Sequence, residues 1–247
     1  MFPIRDHNPS TGTPFITYAL IVVNVLVFLS YWPLVAEPYL AQRMIGNFAL
    51  FPAAVSSGYE VHTLVTSMFL HGGLLHLAGN MLFLWIFGDN LEEELGHIGF
   101  LIFYLVSGIG AGLAQVLADP SSTIPTVGAS GAIAGVMGAY LLLYPRARVD
   151  VLFIFFVFFK VFPMPAWIML GVWFALQLVN GIGADMSGGG VAYWAHAGGF
   201  IVGFLYILPR WLRLGGPAYW SRTHGHPPNP EATYRVVRTS IPKVRRR

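Results

Sequence analysis

The sequence predicts an all-α membrane protein built as a bundle of six transmembrane helices, and three observations carry that prediction. Of its 247 residues, 55% are apolar and only 10% are charged, against roughly 25% charged in a soluble domain. The apolar residues are gathered in long runs, and ~30 Å of hydrocarbon needs about 17–25 of them per helix. Lys and Arg, finally, fall almost entirely on one side of the alternating loops, as topology in a membrane requires. The absence of cysteine excludes disulfides, thiolate metal sites and cysteine nucleophiles together.

The runs lie at 15–34, 72–87, 98–118, 127–144, 164–182 and 192–208. The first is longer than a signal-peptide core and lacks a small-residue cleavage site after it. The second and fourth are short. Between the fourth and fifth, residues 151–162 (VLFIFFVFFKVF) are apolar but too few to span; they read either as an interfacial loop or as an early start to the fifth helix. Three regions follow: an N-terminal segment 1–13, a membrane domain 14–209, and a basic, Pro-rich tail 210–247 expected to be flexible.

With the N-terminus in the cytoplasm, the inner segments hold Arg5, Arg146, Arg148, Lys160 and all nine basic residues from Arg210 onward, while the outer loops hold only Arg43. Both termini are therefore expected inside, and the net charge of +3 is largely an orientation signal. The compact layout suggests a bacterial inner membrane, with an organelle membrane second.

Polar groups inside spans are costly and mark function by default. The second, fourth and sixth helices all run from outside to inside. His76, Asn80, Ser130 and His196 each sit a few residues into one of them, within roughly 5–14 Å of the outer boundary at 1.5 Å per residue. A water-accessible active site near the outer face is the expectation. Ser130 stands in Gly128-Ala129-Ser130-Gly131 at the start of a helix, where backbone N–H groups are free to meet an anion. That suits an acyl-transfer nucleophile, although Gly131-x-x-x-Gly135 is equally a helix-packing pattern.

His196 stands in Ala195-His196-Ala197-Gly198-Gly199. Ala195, Gly199 and Gly203 make a bare stripe that would let the sixth helix press against Gly131 and Gly135 of the fourth, as a His–Ser hydrogen bond needs. Asn80 and His76 share a helix face, and an amide aimed at an oxyanion contributes about 2.7–4 kcal/mol; interhelical hydrogen bonding is the plainer role. His71, one turn earlier, reads as a loop anchor. Asn24, Gln115 and Gln177 read as structural.

Taken together, His71-x4-His76-x3-Asn80, Gly128-Ala129-Ser130-Gly131 and Ala195-His196-Ala197-Gly198-Gly199 resemble the rhomboid intramembrane serine proteases over residues 14–209. The resemblance implies a Ser130–His196 dyad with no carboxylate. It implies an oxyanion held by Asn80, the Ser130 N–H and His76, and support from His71, Gly128, Gly131 and Gly199. The implied substrates are single-pass membrane proteins cut near the outer end of their helix. The expected partners are those substrates and membrane lipid, without nucleic acid, metal or cofactor.

Two positions depart from the family pattern. Where relatives often carry an aromatic residue four positions after the serine, this chain has Ala134, so Tyr193 or Trp194 is the candidate for orienting the histidine ring. Where many carry Trp-Arg in the first outer loop, His62-Thr63 stands instead. The zinc helix HExxH and a pair of intramembrane carboxylates, the marks of other intramembrane proteases, are absent. A polar-solute transporter or a noncatalytic binder of membrane helices is the alternative; the polar groups cluster at one depth and do not continue inward, which disfavours a path.

Overall fold

A computed structural model describes residues 2–33, 37–155, 158–183 and 190–232. The described residues are predominantly helical, with six long helices among them: α1 (Phe15–Tyr31), α5 (Leu74–Leu95), α6 (His97–Ala118), α7 (Ser130–Leu143), α8 (Ala166–Gly183) and α9 (Tyr193–Arg213). Short helices α2 (Pro38–Phe48), α3 (Pro52–Ser56) and α4 (Thr63–Thr66), with a 3-10 turn at Ser67–Phe69, fill the loop between α1 and α5, and α10 (Pro217–Thr223) follows α9. Helices α6 and α8 are each long and apolar enough to cross a membrane. Two more candidates arise if α4 and its 3-10 turn are joined to α5 across a 97° bend, and α9 to α10 across a 78° bend. The apolar helices α1 and α7 are shorter.

At the centre stands α7. Its residues from Gly131 to Tyr140 are buried without interruption, because it is apolar all round and its glycines admit neighbours on every side. A Cβ at Gly199 would overlap the Gly131 carbonyl oxygen, and one at Gly203 would overlap the backbone of Gly135. Gly138 meets the Phe200 carbonyl in the same way. The stripe expected on the sixth helix is thus the seam on which α7 and α9 touch backbone to backbone.

The all-α expectation fails at one end of the bundle, where β1 (Phe2–Asp6), β2 (Arg148–Phe155) and β3 (Phe158–Pro165) form an antiparallel sheet in the order β1-β2-β3. Of residues 151–162, the described 151–155 and 158–162 are neither an interfacial loop nor the start of a helix. They belong to a hairpin whose register pairs Arg148 with Pro165 and Phe155 with Phe158, and β3 leads straight into α8. Valine, isoleucine and phenylalanine favour strands, but a run this uniformly apolar hides the alternation that would have revealed one. Arg5 Nε donates to Asp150 Oδ2 at 2.7 Å, and His7 Nε2 lies 2.8 Å from Oδ1; these contacts pin β1 onto β2.

Other boundaries also move. The second run extends to Leu95 rather than Phe87, and its polar end Asp89–Glu94 is helical. The fourth starts at Ser130. Within the region read as a flexible tail, α9 continues to Arg213, and α10 packs back with Trp220 Nε1 donating to the Leu142 carbonyl at 2.9 Å. Residues 233–247 lie outside the described part.

Candidate active site

Ser130 is the first residue of α7, delivered by a loop that is clamped in place. Leu50 and Thr126 exchange backbone hydrogen bonds of 3.0 and 2.8 Å, and the Gly128 N–H donates to the Ser67 carbonyl at 2.9 Å. Gly128 holds φ +128°, and a Cβ there would lie 2.8 Å from His76 Nε2. Only glycine fits both the backbone and the space.

Across the α7–α9 seam, Ser130 Oγ lies 2.7 Å from His196 Nε2, a full hydrogen bond between side chains 66 residues apart. The close backbone approach makes it achievable, since a serine reaches only one side-chain atom beyond Cβ. On its other side, His196 Nδ1 lies 2.8 Å from Gln177 Oε1, and the Trp173 ring sits against the imidazole at 5.7 Å between centroids, tilted 33°. Both come from α8. Tyr193 and Trp194, expected to orient the ring, instead flank Gly181. Reading Gln177 as merely structural therefore missed a direct contact to the histidine. The available signal was a buried amide in a span, four residues from a tryptophan.

Asn80 is buried and its Nδ2 meets no partner among the described residues. His76 Nδ1 accepts from the Gly72 N–H at 3.3 Å, and its ring borders Gly128. His71 is buried, with its ring edge-on to His76 at 5.1 Å. The anchor expected of its side chain is made by its backbone: the Tyr31 hydroxyl lies 2.7 Å from both the His71 N–H and its carbonyl, accepting from one and donating to the other. Gly131 is buried at the seam, where Ala111 of α6 closes against it. A cavity of about 20 Å³ opens beside Ser130, lined among others by Met68, Val127, Gly131 and Ala195.

The departure at His62-Thr63 is compensated locally. His62 Nε2 bonds the Asn47 carbonyl at 3.0 Å, Thr63 Oγ1 donates to the Glu60 carbonyl at 2.6 Å, and Thr66 Oγ1 donates to the Phe48 carbonyl at 2.9 Å. Gln115 Oε1 accepts the Ala195 N–H at 3.2 Å, and Asn24 Nδ2 donates to the Leu20 carbonyl at 2.8 Å, structural roles as expected. The constellation is a hydroxyl with a hydrogen-bonded imidazole, a helix N-terminus and an uncommitted amide donor.

A family model described as the Rhomboid domain matches residues 58–213. The chain is 34% identical over 199 residues to Rhomboid protein 1, mitochondrial, of Saccharomyces cerevisiae, covering 77% of this chain and 52% of that protein. It is 38% identical over 123 residues to RHOMBOID-like protein 6, mitochondrial, of Arabidopsis thaliana, covering 49% of this chain and 39% of the relative. It is 29% identical over 203 residues to the human Presenilin-associated rhomboid-like protein, mitochondrial, covering 81% and 49%. The chain spans about half the length of the first and third of these relatives.

Proposed function

The chain belongs to the rhomboid family, and from that premise we propose that it is an intramembrane serine endopeptidase acting through a Ser130–His196 dyad and an acyl-enzyme. The observation that carries the reading is the 2.7 Å hydrogen bond from Ser130 to His196 Nε2. Ser130 Oγ attacks the peptide carbonyl while His196 Nε2 takes its proton; the imidazolium then protonates the leaving amine. Water, activated by the same nitrogen, releases the acyl group. The Ser130 N–H, the Asn80 amide and His76 stabilise the oxyanion, and the Nδ2 of Asn80, without a partner among the described residues, supports that role.

Family membership and the apolar helices point to an integral membrane protein. We read α1, α5, α6, α7, α8 and α9 as six spans with both termini in the cytoplasm, on the Lys/Arg distribution, and the site as open to water near the outer face. Substrates on this reading are single-pass membrane proteins cut near the outer end of their helix, which must unwind there before its carbonyl is exposed. The relatives named as mitochondrial do not fit the bacterial inner membrane expected from the layout.

The test is a fluorophosphonate probe on the detergent-solubilised protein, together with cleavage of a model transmembrane substrate. The wild type should label and cleave, and Ser130→Ala should do neither. Undiminished labelling of Ser130→Ala would remove the nucleophile. A wild type that binds the substrate helix without ever cutting it would favour a noncatalytic helix-binding role.

A further inference from the structure

A dyad without a carboxylate leaves open what holds the histidine in the tautomer the reaction needs. His196 Nε2 must arrive without its proton to accept from Ser130, so Nδ1 must carry it, and the partner of Nδ1 decides the matter. Among the described residues, His76 is the one titratable group close enough to act on His196 by its charge. A neutral acceptor fills the place instead. Gln177 offers one oxygen and one NH2; the NH2 donates to the Trp173 carbonyl at 3.3 Å, within the same helix. The oxygen is thereby left facing His196 Nδ1 at 2.8 Å. Turning the amide over would set its oxygen against the Trp173 carbonyl and lose that hydrogen bond.

Trp173 and Gln177 are one helical turn apart, so α8 presents them together. The tryptophan ring lies beside the imidazole at 5.7 Å and reaches Phe200 of α9 at 6.2 Å. Ala134, small and fully buried, brings no ring of its own. An indole within ~6 Å of a ring that becomes cationic also favours the cation.

We propose that Gln177 is a positioning residue that fixes the Nδ1–H tautomer of His196, with Trp173 as the wall that holds the ring. The proposal rests on the serine-protease reading above. During attack the Ser130 proton passes to Nε2 and the Nδ1 proton stays where it is, bonded to Gln177 Oε1 throughout. The amide, unlike a carboxylate, neither takes that proton nor neutralises the imidazolium. It supplies orientation with little charge stabilisation.

The experiment compares wild type with Gln177→Leu and Gln177→Glu in proteoliposomes, reading kcat, KM and the pH dependence of cleavage. 15N-histidine NMR reads the His196 tautomer independently of turnover. Gln177→Leu should lower kcat by about 10²-fold with KM within about twofold, and should convert a single His196 tautomer into a mixture. Gln177→Glu restores an oxygen acceptor, so it should recover much of that kcat. Its negative charge favours the imidazolium and should move the acid limb of the pH profile upward by about one unit. Wild-type kcat and an unchanged tautomer in Gln177→Leu would overturn the proposal, as would a loss confined to KM, or a Gln177→Glu no better than Gln177→Leu. These failures leave Ser130-dependent labelling of the wild type intact. Absence of that labelling overturns the protease reading and this proposal with it.

Discussion

Asn80 carries an amide donor into the interior that meets no partner among the described residues, which is costly for a purely structural residue. If that donor waits for a charge that develops only during reaction, removing it should slow the chemical step and spare the ground state. Asn80→Ala is expected to lower kcat by about 10²-fold or more, with KM little changed. Kinetics on the model substrate check it, and a loss in KM alone would return Asn80 to the packing role. Ser130, His196, His76 and Asn80 were legible as residues because polar groups stand out in an apolar helix. Gln177 was equally visible but reads in sequence as structural. Nothing local distinguishes an amide that bonds its own helix from one that also reaches a histidine on another.

Among the elements, α7 and α9 are joined by glycine, and the serine–histidine distance depends on that contact. A side chain at Gly199 must displace the Gly131 carbonyl, so the helices would part. Gly199→Val is expected to cost about 1–3 kcal/mol of stability by overpacking and to lose probe labelling even where the protein stays folded. Thermal unfolding and labelling measured on the same sample separate the two effects. The spacing of Ala195, Gly199 and Gly203 announced this seam, since a four-residue period on a helix means one face. The β2–β3 hairpin was not announced. From Val151 onward its sequence is apolar at every position but Lys160, and its pairing with β1 depends on Asp150 meeting Arg5 and His7, contacts more than 140 residues apart.

Across the whole molecule, the polar end of α5 gathers the N-terminal segment and the end of α9. Asp89 accepts the Ser10 N–H at 3.0 Å, and Asn90 Nδ2 donates to the Asn8 carbonyl at 2.7 Å. Glu92 accepts the N–H groups of Ile16 and Thr17 at 2.8 and 2.7 Å and the Thr17 hydroxyl at 2.8 Å. Glu94 meets Arg210 at 2.8 Å. Because α1 has no side-chain cap of its own, buried Glu92 caps it from another helix. Glu92→Ala would leave those donors unpaired and should destabilise the fold by about 3 kcal/mol. Earlier proteolysis within residues 2–17 should report it.

The same end of the bundle carries a pH response. Burial and the nearby Asp89 charge raise the Asp6 carboxyl from 3.8 to about 7, against the opposing hydrogen bond from Tyr140. A raised folded-state value means the fold favours the protonated form. That stabilisation is complete below about pH 4 and is lost as pH rises through about 7. Thermal stability should therefore fall between about pH 4 and about pH 7, and Asp6→Asn should flatten the fall. An unchanged slope in the variant would place the response elsewhere.

What the sequence determined by itself was residence in lipid, the helical runs, the side favoured by basic charge and the reactive residue types. Each of these is written in composition or short periodicity, because one helix or one loop suffices to express it. The tertiary structure alone decided which groups touch. The Ser130–His196 bond, Gln177 and Trp173 behind the histidine, the sheet that joins the N-terminal segment to the middle of the chain and the capping of α1 by Glu92 all join distant segments. Their distances follow from how closely glycine lets helix backbones approach, and no single segment carries that quantity.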